Sequence, residues 1–442
     1  MDMDAHNLRT LEKSAYRKAS FRILPLIGLG YGAAYIDRVN ISFAALQMNR
    51  DLSFSATVYG FGAGLFFLSY AACEVPSNLL LYRFGARRWL ARIMVTWGLV
   101  AMAMMFVRTP AQFYVGRFAL GLAEAGFFPG VIFYVSQWFP PELRARSISR
   151  FYVAWPLSVV VMGILAGGLM GLDGHLGLKG WQWLFAVEGF PAVVLGIVFF
   201  FLLPDGPATA RWLTDAERNA VLARIQGPAS REASHAEPIG PALRDPRVWI
   251  LGIFNFCMLG SSYAYSFSAP AIVQSLSGLS VTGTGFVIAG MYLLAAAAMF
   301  INGILSDRGR DTYRFVIPGC LMMSGGFLAA ALSSNPALAL AGLLVLVIGH
   351  MSMQGPFWSI ATRFLKGRAA AAGIALMNMI GILGGFVGPY WMGIAQDLTG
   401  SNRRGLLTMA VPMFVGACIM LYLRRQSRRA DARVPAPISA PV

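Results

Sequence analysis

Twelve mainly apolar stretches, each long enough to cross a lipid bilayer, recur along this 442-residue chain, and no other feature restricts its fold so strongly. A membrane-crossing helix needs about 20 such residues, and hydrocarbon offers the backbone no hydrogen-bond partner, so each stretch must be helical. The stretches cover roughly 21–46, 57–82, 91–107, 112–138, 147–171 and 183–203, then 248–275, 284–306, 313–333, 337–362, 369–391 and 404–423. Between the two sets lies the longest polar segment, 204–247, in which WLTDAER precedes a Gly/Pro/Ser/Ala/Glu-rich run through Pro241. It reads as a linker with one surface helix around Thr214–Arg224. The polar segment 1–20 precedes the first span, and the apolar run from Phe21 is too long for the h-region of a cleavable signal peptide. The tail 424–442, basic and then Pro/Ala-rich, is expected to be disordered. The expectation is an all-α membrane protein of twelve helices in two pseudo-symmetric halves, 21–203 and 248–423.

Composition agrees. Hydrophobic residues make up 57% of the chain and charged ones 13%, against roughly 25% charged in soluble proteins. The formal charge of +16 has a topological origin. With the N-terminus in the cytoplasm, 29 of the 36 basic residues fall in cytoplasmic segments and five in outer loops, the asymmetry of the positive-inside rule. Both termini are therefore expected inside, in a bacterial inner membrane, and a nucleic-acid partner is not indicated.

Cys73, Cys257, Cys320 and Cys418 lie far apart in apolar segments, and the four histidines form no cluster, so neither a metal site nor a disulfide framework is indicated. The chain shows no nucleophile motif and no P-loop lysine pattern, which argues against an enzyme. A signalling receptor is disfavoured because the linker is too small for a signalling domain.

Ionisable groups within spans are expensive unless they face a partner or a watery cavity, so they mark function. In span 1, YGAAYIDRVNISFA places Asp37, Arg38 and Asn40 in an apolar, aromatic helix. In span 4, GRFALGLAEAGFFPG carries Arg117 and Glu124, seven residues apart and so on one helical face. Arg38 and Arg117 would attract a substrate carboxylate, while Asp37 and Glu124 would take and release protons. Glu74, in an apolar run before Pro76, reads as structural. The second half supplies few charges, and its polar groups include Asn255, Gln354, Ser359 and Asn378, among aromatics such as Tyr263 and Trp358.

A weak internal echo relates the turn after span 2, NLLLYRFGARR, to the turn after span 8, GILSDRGR, as expected of a duplicated transporter. Arg83, Arg87, Arg88, Asp307 and Arg308 in these turns lie too near the helix ends to reach substrate and are candidates for gating.

AYIDRVNISFA, YGFGAGLFFLSYAACEVPSNLLLYRFGARRW, GRFALGLAEAGFFPGVIFYVSQWFP and GWQWLFAVEGFPAVVLG resemble the anion:cation symporter family of the major facilitator superfamily, over about Ser20–Gln426. The resemblance implies the major facilitator fold, alternating access and proton-coupled uptake of an organic anion, with no cofactor beyond the coupling proton. It implies a proton-carrying Asp37 beside Arg38, a substrate-binding Arg117, a proton-linked Glu124, and a site lined by Tyr35, Tyr70 and Asn378. Some sugar-acid carriers of the family place a glutamine near Trp155, so an aromatic there argues against a polyhydroxy acid. The turn DGHLGLKGWQWLFAVEG is most similar to the tartrate and phthalate permease branch. Sugar-acid symport, anion exchange and sodium coupling remain alternatives, and the family fold is competent as a monomer.

Overall fold

A computed structural model describes residues 2–226, 239–308, 311–361 and 367–431. Its first half comprises α1 (Asp2–Arg22), α2 (Leu24–Asp51), α3 (Ala56–Phe84), α4 (Ala86–Ala103), α5 (Pro110–Glu124), α6 (Phe127–Trp138), α7 (Pro141–Tyr152), α8 (Ala154–Met170) and α9 (Gly180–Leu202). The linker contributes α10 (Asp215–Gln226) and α11 (Ile239–Arg244). The second half is α12 (Pro246–Ser277), α13 (Val281–Arg308), α14 (Tyr313–Leu332), α15 (Pro336–Ala361), α16 (Gly367–Thr399) and α17 (Asn402–Asp431). Among the described residues there is no strand, and twelve helical segments are long and apolar enough to cross a membrane.

Local chemistry sets the helix ends. The Ser55 hydroxyl accepts from Val58 N at the start of α3, Thr109 accepts from Gln112 N ahead of Pro110, and Asp245 accepts from Arg247 N ahead of Pro246. Each satisfies a first-turn N–H that the helix leaves open, and proline at N1 removes another. Span 4 is broken: α5 stops at Glu124, Gly126 takes a left-handed φ of 85°, and α6 restarts at Phe127. Pro129 has no N–H for a carbonyl of the preceding turn, which removes one helix hydrogen bond beside the left-handed Gly126.

The halves meet along three helix pairs: α2 with α12, α3 with α16, and α8 with α13. In span numbering these are 1 with 7, 2 with 11 and 5 with 8, a set that maps onto itself when the halves are exchanged. The close contacts gather toward the face remote from the termini. Phe61 packs on Tyr390, Phe67 on Tyr263, and Tyr59 Oη donates to Phe267 O at 2.9 Å. On the other side, Gly163 and Gly285 bring two backbones so close that a Cβ on either would collide with the partner's carbonyl, the small-residue contact that membrane helices use. The bundle is thus closed at its remote face, with a vestibule of about 370 Å³ there lined by both polar and apolar residues, among them Asn49, Gln274, Gln396, Leu46, Phe54 and Phe267.

The tail differs from its sequence reading, and both terminal segments are held by partners elsewhere in the chain. The N-terminal segment is helical and docks on α10, where Glu217 accepts from Ser14 Oγ and Lys18 Nζ, both at 2.8 Å. The tail is helical through Asp431, because Arg424 and Arg428 pair with Asp311 at 2.7 and 3.1 Å. Residues 432–442 lie outside the described part.

Candidate functional site

The break in span 4 places Glu124 at the end of α5, deep in the first half and 0% exposed. Its Oε1 accepts from Arg38 Nη2 on α2, joining spans 1 and 4 by a buried ion pair. The other carboxylate oxygen has no partner among the described residues. Arg38 lies over three rings, Tyr35 at 5.1 Å, Tyr70 at 5.3 Å and Phe66 at 5.5 Å. This aromatic box holds the guanidinium by cation–π attraction while leaving its Nε unpartnered.

Arg117, 1% exposed, donates to Ala63 O at 3.3 Å and sits 5.1 Å over the Phe66 ring, its Nε also unpartnered. Phe66 thus stands between the two arginines. Asp37, 2% exposed, lies within the electrostatic reach of Arg117, and its Oδ1 faces Asn40 Nδ2 at 3.5 Å. Its Oδ2 has no partner among the described residues. The sequence grouped Arg117 with Glu124 on one helical face. The structure pairs Glu124 with Arg38 instead and brings Arg117 toward Asp37.

Tyr35 stacks obliquely on Trp155 at 5.1 Å, and Trp155 meets His350 of the second half edge-on at 5.8 Å. The buried His350 Nε2 is shared with Ser262 Oγ at 3.0 Å and Gln354 Nε2 at 3.2 Å, leaving Nδ1 unpartnered. Tyr263, also from the second half, lies beside Arg38. Asn378 Nδ2 reaches Glu74 Oε1 at 3.4 Å, so these two residues bridge α16 and α3. Ser359 is exposed, and its hydroxyl donates to Pro356 O of its own helix. Tyr35, Tyr70, Trp155, Arg38, Arg117, Asp37 and Glu124 are therefore brought together, while Asn378 takes part in a contact between halves.

Residues 27–389 match the family model described as Major Facilitator Superfamily. The chain belongs to that superfamily. It is 43% identical over 420 residues to a protein of Agrobacterium vitis named "Putative tartrate transporter", covering 95% of this chain and 93% of the relative. A "Quinolone resistance transporter" of Acinetobacter baumannii is 38% identical over 93% of this chain and 95% of its own. Among solved structures, a bacterial homologue of the lysosomal transporter Spinster superposes with a TM-score of 0.78 at 17% identity, over 94% of this chain and 99% of that one. A major facilitator chain with such relatives is a multi-pass membrane transporter and not an enzyme.

The turns at the terminus-bearing face carry the basic residues singled out in the sequence as gating candidates. Arg87 N donates to Asp205 Oδ1 at 3.2 Å, and its side chain lies over Phe200. Arg83 lies over Phe84, and Arg88 is exposed. Arg87 therefore ties the turn to its own half. The side chains of Asp307 and Arg308 lie outside the described residues. Two features escaped the sequence reading. Glu188 on α9 is buried beside Asp37 and Asn40, and its signal was an acid inside the apolar run FAVEGFP. The His350 cluster had only polar residues at helical spacing to announce it.

Proposed function

We propose that this chain is a proton-coupled symporter that takes up a small organic anion of the tartrate or phthalate kind by alternating access. The observation that carries the reading is the buried Arg38–Glu124 pair, beside a second buried arginine with free N–H capacity. A substrate carboxylate that engages Arg38 competes with Glu124 for the same guanidinium. Displaced from Arg38 in an apolar setting, Glu124 gains by taking a proton. Anion binding and proton binding then favour each other, as linkage requires of a symporter. Arg117 offers the second cationic contact, with Asp37 as its proton-exchanging neighbour. Tyr35, Tyr70 and Trp155 supply an aromatic wall suited to a small or planar acid.

The relatives named as tartrate transporters support the substrate class. The basic bias supports cytoplasmic termini in a bacterial inner membrane, in which case the face closed here is the outer one. We take the monomer as the working unit. Arg83, Arg87, Arg88, Asp307 and Arg308 are proposed to act in gating at the inner face, and Asn378 in the contact between halves that gating must remake.

The test is uptake into proteoliposomes under an imposed inward proton gradient, with labelled tartrate, phthalate, hydroxyphenylacetate, galactonate and a dicarboxylate control. Saturable accumulation that persists without sodium and is lost when the gradient collapses supports the proposal. Accumulation driven by sodium alone, or flux without accumulation, refutes the coupling. Unimpaired concentrative uptake by Glu124→Gln removes Glu124 from it.

A further inference from the structure

The buried charges of the first half do not balance. Arg38 and Arg117 face three acids, Asp37, Glu124 and Glu188, all at most 5% exposed except Arg38, whose side chain is 13% exposed. Arg38 is taken by Glu124, and Arg117 acts on Asp37. Glu188 is left without a cation, and both its carboxyl oxygens lack a hydrogen-bond partner among the described residues. Its polar neighbours are the Asn40 amide and the Asp37 carboxyl.

The elements packed on α9 supply no missing charge. They are α2, α4, α8 and the short helical turn Met104–Phe106. On α2 the facing groups are Asp37 and Asn40. The charged residues of α4 are Arg87, Arg88 and Arg92, whereas Gly189, next to Glu188, packs at Gly98 and Met102, well along the helix toward the remote face. α8, the short turn and the rest of α9 carry no charged residue. Asn40 is neutral, and its Oδ1 is itself buried without a partner. Asn40 turns its Nδ2 toward Asp37 Oδ1 at 3.5 Å and is the amide neighbour of Glu188 as well, and one neutral amide cannot offset two buried carboxylates. A proton on one carboxyl turns it into a donor, and one carboxyl–amide–carboxyl unit can then be satisfied.

We propose that Glu188 is a proton-binding group of the transport site that shares one proton with Asp37 across Asn40, as a third acid beside Asp37 and Glu124. This deepens the symport reading and rests on it only for the use made of the proton. Two buried carboxyls that act on each other electrostatically titrate as a pair, so the shared proton responds to whatever engages Arg117 and thereby the Asp37 side of the pair.

Infrared spectra of the full-length protein reconstituted in lipid test this without substrate or gradient. The wild type at neutral pH is expected to show a carboxylic-acid C=O band sensitive to deuterium exchange, and Glu188→Gln is expected to lose it while keeping its helical circular dichroism and thermal midpoint. An unchanged band overturns the proposal. So does failure of Glu188→Gln to fold, because a neutral isostere of a protonated acid should fold at least as well. Asp37→Asn is expected to change the pH range over which the band disappears, and an unaltered range refutes the sharing. If wild-type vesicles do not accumulate tartrate under a proton gradient, the symport reading fails while the spectral result stands.

Discussion

Asp397 closes the remote face from the second half. It ends α16, yet its two oxygens accept from Ala56 N at 3.0 Å and Thr57 N at 2.8 Å, in the first turn of α3. Those amides have no acceptor in their own helix, and the positive end of α3 favours the carboxylate. Capping contacts of this kind contribute about 1 kcal/mol, and a charge at a helix terminus about 0.3–1 kcal/mol. Asp397 is exposed, so solvent screening holds the whole contact to about 1 kcal/mol. The contact spans the halves and must break when the remote face opens. Asp397→Ala should therefore lower the closed-to-open ratio about fivefold, and Asp397→Asn, which keeps one acceptor, about twofold. Spin-label distances between positions 50 and 403, both exposed at this face, would report the two populations in a background with native cysteines replaced. The wild-type advantage should shrink at high salt. Equal closed fractions in wild type and Asp397→Ala at low ionic strength would refute the reasoning.

Arg38→Met strands the fully buried Glu124 and should destabilise the protein by about 3–5 kcal/mol, while Arg38→Met/Glu124→Gln recovers more than half of that. Unfolding in detergent measures both, and a single-variant loss under about 1 kcal/mol contradicts the pairing. Gly285→Val should wedge α13 from α8 at the Gly163 carbonyl, making a cysteine at position 284, fully buried in the closed structure, reactive to an impermeant thiol reagent; unchanged reactivity argues against that seam as the seal. Against the upward push of burial, Lys18, the Thr214 amide and Ser14 hold the Glu217 carboxyl down at about 2, against 4.5 for the ordinary group. Its folded value lies below the unfolded one, so the stabilisation of the α1–α10 contact is full above the ordinary carboxylate range and is lost as pH falls through it toward 2. Amide exchange in α1 should accelerate over that window, and Lys18→Met should raise the lower end of the window and shrink the change across it.

The spans, the duplication and the intramembrane charges were legible in the chain itself. Lipid leaves the backbone one solution, a helix of bilayer length, and makes each buried charge conspicuous, so Asp37, Arg38, Arg117 and Glu124 could be picked out as single residues. Their partners could not. Helical spacing speaks only of one helix, and on that basis Arg117 and Glu124 belonged together. The kink at Gly126 and the packing of α2 instead give Glu124 to Arg38. The same limit hid Glu188, whose meaning depends on Asn40 and Asp37 from another span, and Asp397, which caps a helix more than 300 residues earlier in the chain. The helicity of residues 424–431 escaped because it rests on Asp311, a partner beyond local sequence. Sequence alone determined the membrane helices and the residues that cost most to bury there. Tertiary structure decided which charges neutralise one another and which stays unpaired, because electrostatic pairing falls off over a few ångströms and depends on distances in space.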